Sequence, residues 1–256
     1  MDNPKVSIIT ATFNSESTLE DCIKSIIDQG YKNIEYIIID GGSKDRTVDI
    51  INKYNGNITH WISEPDKGVY DAWNKGLKLS SGEWILFVGS DDVLYPDAIA
   101  SYIDYISAQS EILDMVSSRI HITNKDNEVI RTFGWPWKWS VSKRVFTIAH
   151  PGAFHNKRLF EVYGDYNTSY RICGDYELLL RAGVSLKTAF MDKITLRMQI
   201  GGLSDSYKVY LEHFNVVVNT GKLSRITASY DFVKEYSKFL IKRVFRLFGI
   251  NLALKK

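Results

Sequence analysis

Trp84-Ile85-Leu86-Phe87-Val88 runs without a break into Gly89-Ser90-Asp91-Asp92. An unbroken apolar run of this length reads as a strand covered on both faces, the kind found inside a mostly parallel sheet. The turn after it sets two adjacent carboxylates at the strand's carboxyl end. Such a pair is costly to keep ionised unless solvent or a cation relieves it. Hard divalent ions such as Mg²⁺ or Mn²⁺ take one or two carboxylates together with phosphate oxygens of a substrate. A plain solvated turn, with Asp92 preparing a helix after Pro96, accounts for the same residues equally well.

Upstream, the pattern alternates. Val6 to Thr10 is a β-branched run, and Asn14-Ser15-Glu16 offers capping side chains for a helix marked by Leu19, Cys22, Ile23, Ile26 and Ile27 and stopped by Gly30. Ile34 to Ile39 predicts a second strand, Gly41-Gly42-Ser43 a turn, and Val48, Ile50, Ile51 and Tyr54 another helix. A third strand over Ile58 to Ile62, a helix over Val69 to Leu79, and a helix from Pro96 to Ala108 complete the set. Strand and helix alternating with short connections predict a doubly wound, mostly parallel α/β sheet. Ligands of such sheets sit at the carboxyl ends of the strands. The loops of interest are therefore 11–14, 40–43, 63–68 and 89–92.

The second half is less regular. Met115 to Ile122 and Val129 to Phe133 read as a hairpin, Tyr176 to Ala182 as a helix, and Leu186 to Ala189 and Ile194 to Met198 as two strands. The expected organisation is a nucleotide-binding half over 1–110, a substrate-facing half over 111–215, and a helical extension over 216–256.

The chain has 256 residues, 45% hydrophobic and 24% charged, which is the composition of a folded globular protein rather than a disordered one. Cys22 and Cys173 form neither a zinc spacing nor a disulfide framework and are expected as free thiols. With no basic-then-apolar leader and no apolar run long enough to span a bilayer, the expected location is the cytoplasm. The net charge of +2 conceals an asymmetry: from Val233 on, seven basic residues face the single acid Glu235, so the tail carries +6 and the rest −4. Elsewhere the basic residues are scattered among acids, which argues against a nucleic-acid partner. The tail interleaves Lys and Arg with Phe232, Val233, Tyr236, Phe239, Leu240, Val244, Phe245, Leu247 and Phe248. That is a basic amphipathic helix, expected either to dock on the body or to lie on an anionic membrane surface.

Four ordered segments resemble the family 2 glycosyltransferases: Val6 to Asn14, Ile39 to Thr47, Glu64-Pro65-Asp66-Lys67-Gly68-Val69-Tyr70-Asp71-Ala72-Trp73-Asn74-Lys75-Gly76, and Gly82-Glu83-Trp84-Ile85 leading to Asp91. The resemblance resumes from His150 to Arg181. It implies a GT-A (Rossmann-like) fold, inversion at the anomeric carbon, and a nucleotide-diphosphate sugar as donor, with UDP the expected nucleotide. It also implies Mn²⁺ or Mg²⁺ as cofactor. By position, Ala11, Thr12, Phe13 and Asn14 form the loop under the base, where the family usually has Pro-Thr-Tyr-Asn. Asp40 opens the family's Asp-Asp-Gly-Ser turn, whose second acid is Gly41 here. Asp66, Lys67 and Gly68 fall beside the phosphates, and Ser90 near the ribose. Asp91 matches the metal-binding acid of the Asp-X-Asp motif, whose first acid is replaced by Gly89, and Asp92 is a second or water-mediated metal contact.

Asp175 aligns with the family's catalytic acid, since inverting transfer needs one base to take the acceptor hydroxyl's proton. Its residue type and place equally suit a helix N-cap. Glu177, two residues on, is expected to face away from it. Trp137, His150 and Gly202 are weaker candidates for an acceptor site or lid, Trp137 and His150 being equally readable as core residues. The resulting expectation is a metal-dependent glycosyltransferase acting on a glycan or polyprenyl-diphosphate-linked acceptor at the inner face of the membrane, in capsule or O-antigen-like polysaccharide synthesis. The alternative is a non-catalytic sugar-nucleotide-binding or scaffold protein, which the lost acid at Gly89 favours. A nicotinamide-dependent Rossmann enzyme is excluded, because Thr10-Ala11-Thr12-Phe13-Asn14 stands where its glycine-rich turn belongs.

Overall fold

Apolar and β-branched residues covered on both faces build the first strand, Val6–Thr12 (β1), in a computed structural model that describes residues 3–201 and 206–247. Leu19–Ile27 (α1) then buries Leu19, Cys22, Ile23 and Ile26. Ile34–Asp40 (β2), Thr47–Lys53 (α2), His60–Ser63 (β3), Val69–Leu79 (α3) and Trp84–Gly89 (β4) continue the alternation read from the sequence. β1 pairs in parallel with β2 on one side and β4 on the other, and β2 carries β3. The chain leaves β1 toward β2 and β3, then crosses back to β4. Strand order therefore reverses between β1 and β4, and the loops there open a crevice.

The remaining elements are Val93–Leu94 (β5), Ala98–Ser107 (α4), Met115–Thr123 (β6), Val129–Phe133 (β7), Trp139–Ser142 (α5), Ala153–Asn156 (β8), Arg158–Tyr163 (α6), Gly174–Ala182 (α7), Thr188–Gln199 (β9), Lys208–Asn219 (α8) and Arg225–Leu247 (α9). The sheet runs β3-β2-β1-β4-β8-β6-β9-β5, with β7 on β6. β8 is antiparallel to both β4 and β6, and β5 is antiparallel to β9. The sheet is thus parallel in its first four strands and mixed beyond them. The two strands expected over 186–198 are one strand, β9. Its register against β6 jumps from Met191 to Ile194, so the polar pair Asp192-Lys193, which read as a break, is a bulge.

Two local expectations fail for a shared reason. Asn14 and Glu16 do not cap α1, whose N-cap is Thr18 with no side-chain bond. Asn14, at φ 48°, instead accepts the Lys44 N–H at 2.9 Å, and Glu16 accepts the Arg46 N–H at 3.0 Å. These carboxamide and carboxylate groups tie the loop after β1 to the loop after β2. α1 ends at Ile27 with Asp28 as its C-cap, before Gly30, and α4 starts at Ala98, after Asp97 turns the chain through the left-handed region.

One face of the sheet packs on α1 and α4, and the other on α3, α7 and α8. α9 lies on α8 through ring contacts of Phe232 with Phe214, and of Tyr236 and Phe239 with Tyr210. The Arg144 guanidinium also grips Asp231 on α9 with two hydrogen bonds. Both cysteines are buried and free.

Candidate active site

The acids after β2 and β3 are shaped by their own loops. Asp40, fully buried at the end of β2, accepts hydrogen bonds from the Gly42 and Ser43 N–H groups at 3.2 and 3.0 Å and from the Ser43 and Ser63 hydroxyls. Both its oxygens serve the turn, so Asp40 shapes the loop that follows β2. Gly41 follows it. A β-carbon there would stand 2.6 Å from Asp66 Oδ2 and 3.3 Å from the Phe13 ring. The Asp66 carboxylate, whose other oxygen accepts the Gly68 N–H, therefore occupies the space that an acid at position 41 would need. Phe13 is 59% exposed, which leaves its ring face open at the mouth of the crevice. Ala11 is half-buried, and Thr12 is buried with its hydroxyl unpartnered.

Across the reversal, Ser90 shares a 2.8 Å hydrogen bond with Ser15. Asp92 is buried, and its Oδ2 accepts the Gly89 N–H at 2.8 Å while Oδ1 has no partner. A β-carbon on Gly89 would lie 3.0 Å from oxygens of both Asp91 and Asp92, so the two carboxylates converge over that glycine. Burial together with the Asp91 charge holds Asp92 well above the usual carboxylate range, and desolvation raises Asp91 as well. An orphaned, desolvated hard oxygen beside a second carboxylate suits a divalent cation. Among the described residues, no group of three or more acidic, histidine or cysteine side chains is gathered for a metal. A cation here would take its remaining ligands from substrate phosphate or water.

Asp175 lies in the first turn of α7 and is buried. Its Oδ1 is 3.0 Å from the Tyr70 hydroxyl, which is also 2.7 Å from the Ile172 carbonyl. The Tyr70 ring packs against Gly174, where a β-carbon would come 2.9 Å from it. Burial pushes the Asp175 carboxyl up to about 6, against partial relief from the Tyr176 N–H and the Tyr70 hydroxyl. The backbone just before it is gripped from elsewhere. Glu212 on α8 accepts the N–H groups of Arg171, Ile172 and Cys173 at 2.8–3.1 Å. Arg171 then extends its guanidinium over Gly68, into the space a side chain there would fill. Neither Arg171 nor Lys67 forms an ion pair among the described residues, so two cations stand free beside the Asp66-Lys67-Gly68 loop. Glu177 does face away, into an ion pair with Arg181 at 3.0 Å and a hydrogen bond from Thr220.

The acceptor candidates fare differently. His150 is buried, stacked on Trp73 and hydrogen-bonded to Tyr166 at 2.9 Å, and burial drives its pKa well below the usual value. It is a neutral core histidine, not a surface contact. Trp137 is buried against Tyr176, with one edge lining a groove of about 340 Å³ shared with Trp139, Val184 and Lys187. Gly202 lies outside the described residues. Sequence reasoning missed Tyr70, Arg171 and Glu212. The first two stand inside the segments that carry the family resemblance. Glu212 carries no motif at all.

A mostly parallel sheet with a crevice at the strand reversal and acids on three successive βα loops has the architecture of the GT-A fold. S. aureus TarS superposes with a TM-score of 0.67 over 98% of this chain at 19% identity, the chain spanning 46% of TarS. The mannosyltransferase PcManGT of Pyrobaculum calidifontis, solved with GDP-Man and Mn2+, superposes at 0.65 over 90% of this chain and 70% of its own, at 16% identity. The model of Glycosyl transferase family 2 matches residues 7–161, and the chain belongs to that family. A PGL/p-HBAD biosynthesis glycosyltransferase of Mycobacterium bovis (strain BCG / Pasteur 1173P2) is 32% identical over 215 residues, 80% of this chain and 81% of the relative. TarS 1-349 has also been solved in complex with UDP-GlcNAc.

Proposed function

We propose that this glycosyltransferase moves a sugar, with inversion, from a nucleotide-diphosphate donor to a hydroxyl of a glycan acceptor. The observation that carries the reading is Asp175: a buried carboxyl with its pKa raised to about 6, at the start of a helix whose preceding loop touches the donor loop through Arg171 and Gly68. Asp175 accepts the acceptor hydroxyl's proton as that oxygen attacks the anomeric carbon. The bond from that carbon to the diphosphate breaks, and the nucleotide diphosphate leaves with the electron pair. Phe13 stacks on the base, while Arg171 and Lys67 offer positive charge to the phosphates. Asp91, with Asp92 behind it, would hold Mn²⁺ or Mg²⁺, which when bound neutralises charge on the diphosphate. UDP is the nucleotide favoured, on the precedent of the TarS complex.

The acceptor proposed is lipid-linked, for a surface polysaccharide of capsule or O-antigen type, with the enzyme held on the inner membrane face by α9. Ile226, Tyr230, Val233, Leu240 and Ile241 fall at helical spacing on the side of α9 away from α8 and are all exposed. Lys234 is exposed beside them, and Arg243 is exposed further along the helix. The helix thus both packs on the body and bares an apolar stripe with basic neighbours, a form suited to an anionic interface. No helix among the described residues is long and apolar enough to cross a membrane. The tail from Phe248 on lies outside the described residues. Serine at Tyr230, Val233 and Ile241 should abolish co-sedimentation with anionic vesicles while leaving the melting temperature within a few degrees. Undiminished co-sedimentation would remove α9 from the membrane reading.

The catalytic reading is tested with two variants. Asp91→Ala should lose the Mn²⁺-dependent part of UDP binding in calorimetry without unfolding. Asp175→Asn should bind UDP normally and lose about 10²- to 10⁴-fold in transfer or UDP-sugar hydrolysis. Near wild-type turnover by the asparagine variant would overturn the role of Asp175. The non-catalytic alternative predicts no turnover by the unaltered protein with any UDP- or GDP-sugar.

A further inference from the structure

Tyr70 belongs to no motif role assigned above, yet it is the side chain closest in function to Asp175. Its hydroxyl carries one proton and faces two acceptors, the Ile172 carbonyl at 2.7 Å and Asp175 Oδ1 at 3.0 Å. One proton cannot give both acceptors a full-strength bond at once. The ring is buried between α3 and α7, so water has little access to supply the missing bond. We propose that Tyr70 is a positioning residue whose hydroxyl changes partner with the protonation of Asp175. It donates to the carboxylate while Asp175 is ionised. It turns to the Ile172 carbonyl once Asp175 carries a proton and can itself donate to the Tyr70 oxygen. The proposal rests on the reading of Asp175 as the base.

The step balances without any further reactant. The acceptor O–H bond breaks, the new glycosidic C–O bond forms, and the carbon–diphosphate bond breaks with its electron pair going to the leaving nucleotide. The proton from the acceptor rests on Asp175 and passes to solvent after product release. The Tyr70 proton never leaves its oxygen; only its hydrogen-bond partner changes. In each state the buried hydroxyl has an acceptor, so protonating Asp175 does not strand a polar group. Tyr70 does not act as an acid or base itself, because burial and the Asp175 charge hold its phenol well above 10.

The surroundings of Asp175 favour this one donor. The titratable groups facing it are Tyr70 from α3, Tyr166 from the loop before α7, Cys173 on its own turn and Glu212 from α8. Tyr166 and Cys173 are raised by burial and stay neutral. Tyr166 is engaged with His150, and Glu212 with three backbone N–H groups. Among these groups, Tyr70 alone has a side-chain hydrogen bond to the carboxyl. The fit needs a residue without a β-carbon at 174, because a side chain there would collide with the Tyr70 ring. Tyr70 is also two residues from Gly68, so the base is steadied by the same turn that faces the donor.

The test is a pH profile of UDP-sugar turnover with Mn²⁺ present, for the full chain and for Tyr70→Phe, 3-fluorotyrosine at position 70, and Asp175→Asn. Loss of the hydroxyl removes a donor that favours the ionised carboxylate, so the acid limb of kcat in Tyr70→Phe should move up by as much as about one pH unit. Its kcat should fall about ten-fold, with UDP affinity by calorimetry and melting temperature nearly unchanged. Fluorotyrosine, a stronger donor of the same shape, should move the limb down. A Tyr70→Phe limb that stays in place overturns the proposal, whether kcat falls or not, as does a fluorotyrosine limb that fails to move. If Asp175→Asn turns over at the wild-type rate, the base reading itself fails. If that variant is inactive while the Tyr70→Phe limb is unmoved, only the Tyr70 role is lost.

Discussion

The acids of the crevice are held in two different ways. Asp40, Asp66 and Asp92 each accept backbone N–H groups from two or three residues away, closing small turns at the ends of β2, β3 and β4. Asp175, which also draws on the neighbouring Tyr176 N–H, meets a hydroxyl 105 residues distant, and the backbone before it hangs on a carboxylate 39 to 41 residues further along. The local arrangement fixes loop shape cheaply, since little chain must be ordered to close each turn. The long-range arrangement makes the acceptor side depend on α3 and α8 being docked. Asp40 has both oxygens bound in its own turn, whereas Asp92 and Asp175 each keep one oxygen free of side-chain partners.

Glu212 is where that contrast is most easily broken. Truncation to alanine takes the carboxylate acceptor from three backbone N–H groups. Hydrogen bonds to a charged acceptor are worth about 1.5–3 kcal/mol each, less where solvent substitutes, as it does beside exposed Arg171. Glu212→Ala should therefore lose about 2–3 kcal/mol of stability in urea unfolding. Turnover should fall at least ten-fold as the Asp175 loop shifts. Glu212→Gln, which keeps an acceptor oxygen, should fall between. If alanine leaves both turnover and unfolding unchanged, the loop before α7 supports itself and the two sides of the crevice do not differ in kind.

The same contrast explains what could be read in advance. β1 to β4, their helices and the acidic loops were legible because each depends on residues close in sequence. The apolar run at Trp84 to Val88 and the turn residues after it carry the whole signal. β8 was not legible, because Ala153-Phe154-His155-Asn156 is buried on a mixed sheet and shows no alternation. Asn14 and Glu16 misled for a related reason: their side chains suit a cap, and only the fold shows that the nearest open N–H groups are at Lys44 and Arg46. Asp175 could be found by resemblance. Its supports could not, because Tyr70 and Glu212 come near it only when α3, α7 and α8 share one face of the sheet.

A smaller effect, with the opposite sign, sharpens the comparison further. Folding raises the Asp175 carboxyl from about 3.8 to about 6, chiefly by burial. Between those values the folded chain keeps a proton that the unfolded chain has released. Stability therefore falls as pH rises from 3.8 to 6, and the loss is complete above 6. At about 1.4 kcal/mol per unit, the ionised form costs about 2–3 kcal/mol at neutral pH. Asp175→Asn removes that cost. The variant should match the parent near pH 4 and become the more stable of the two by about 2 kcal/mol at pH 7 to 8, while its turnover collapses. Asp40→Asn should go the other way, because its new amide N–H₂ would face the Gly42 and Ser43 N–H donors that now bind a carboxylate. Urea unfolding at pH 4.5, 6 and 7.5 reads both variants together. A stability gap for Asp175→Asn that stays flat across this range would mean that the buried carboxyl is not strained by its ionisation.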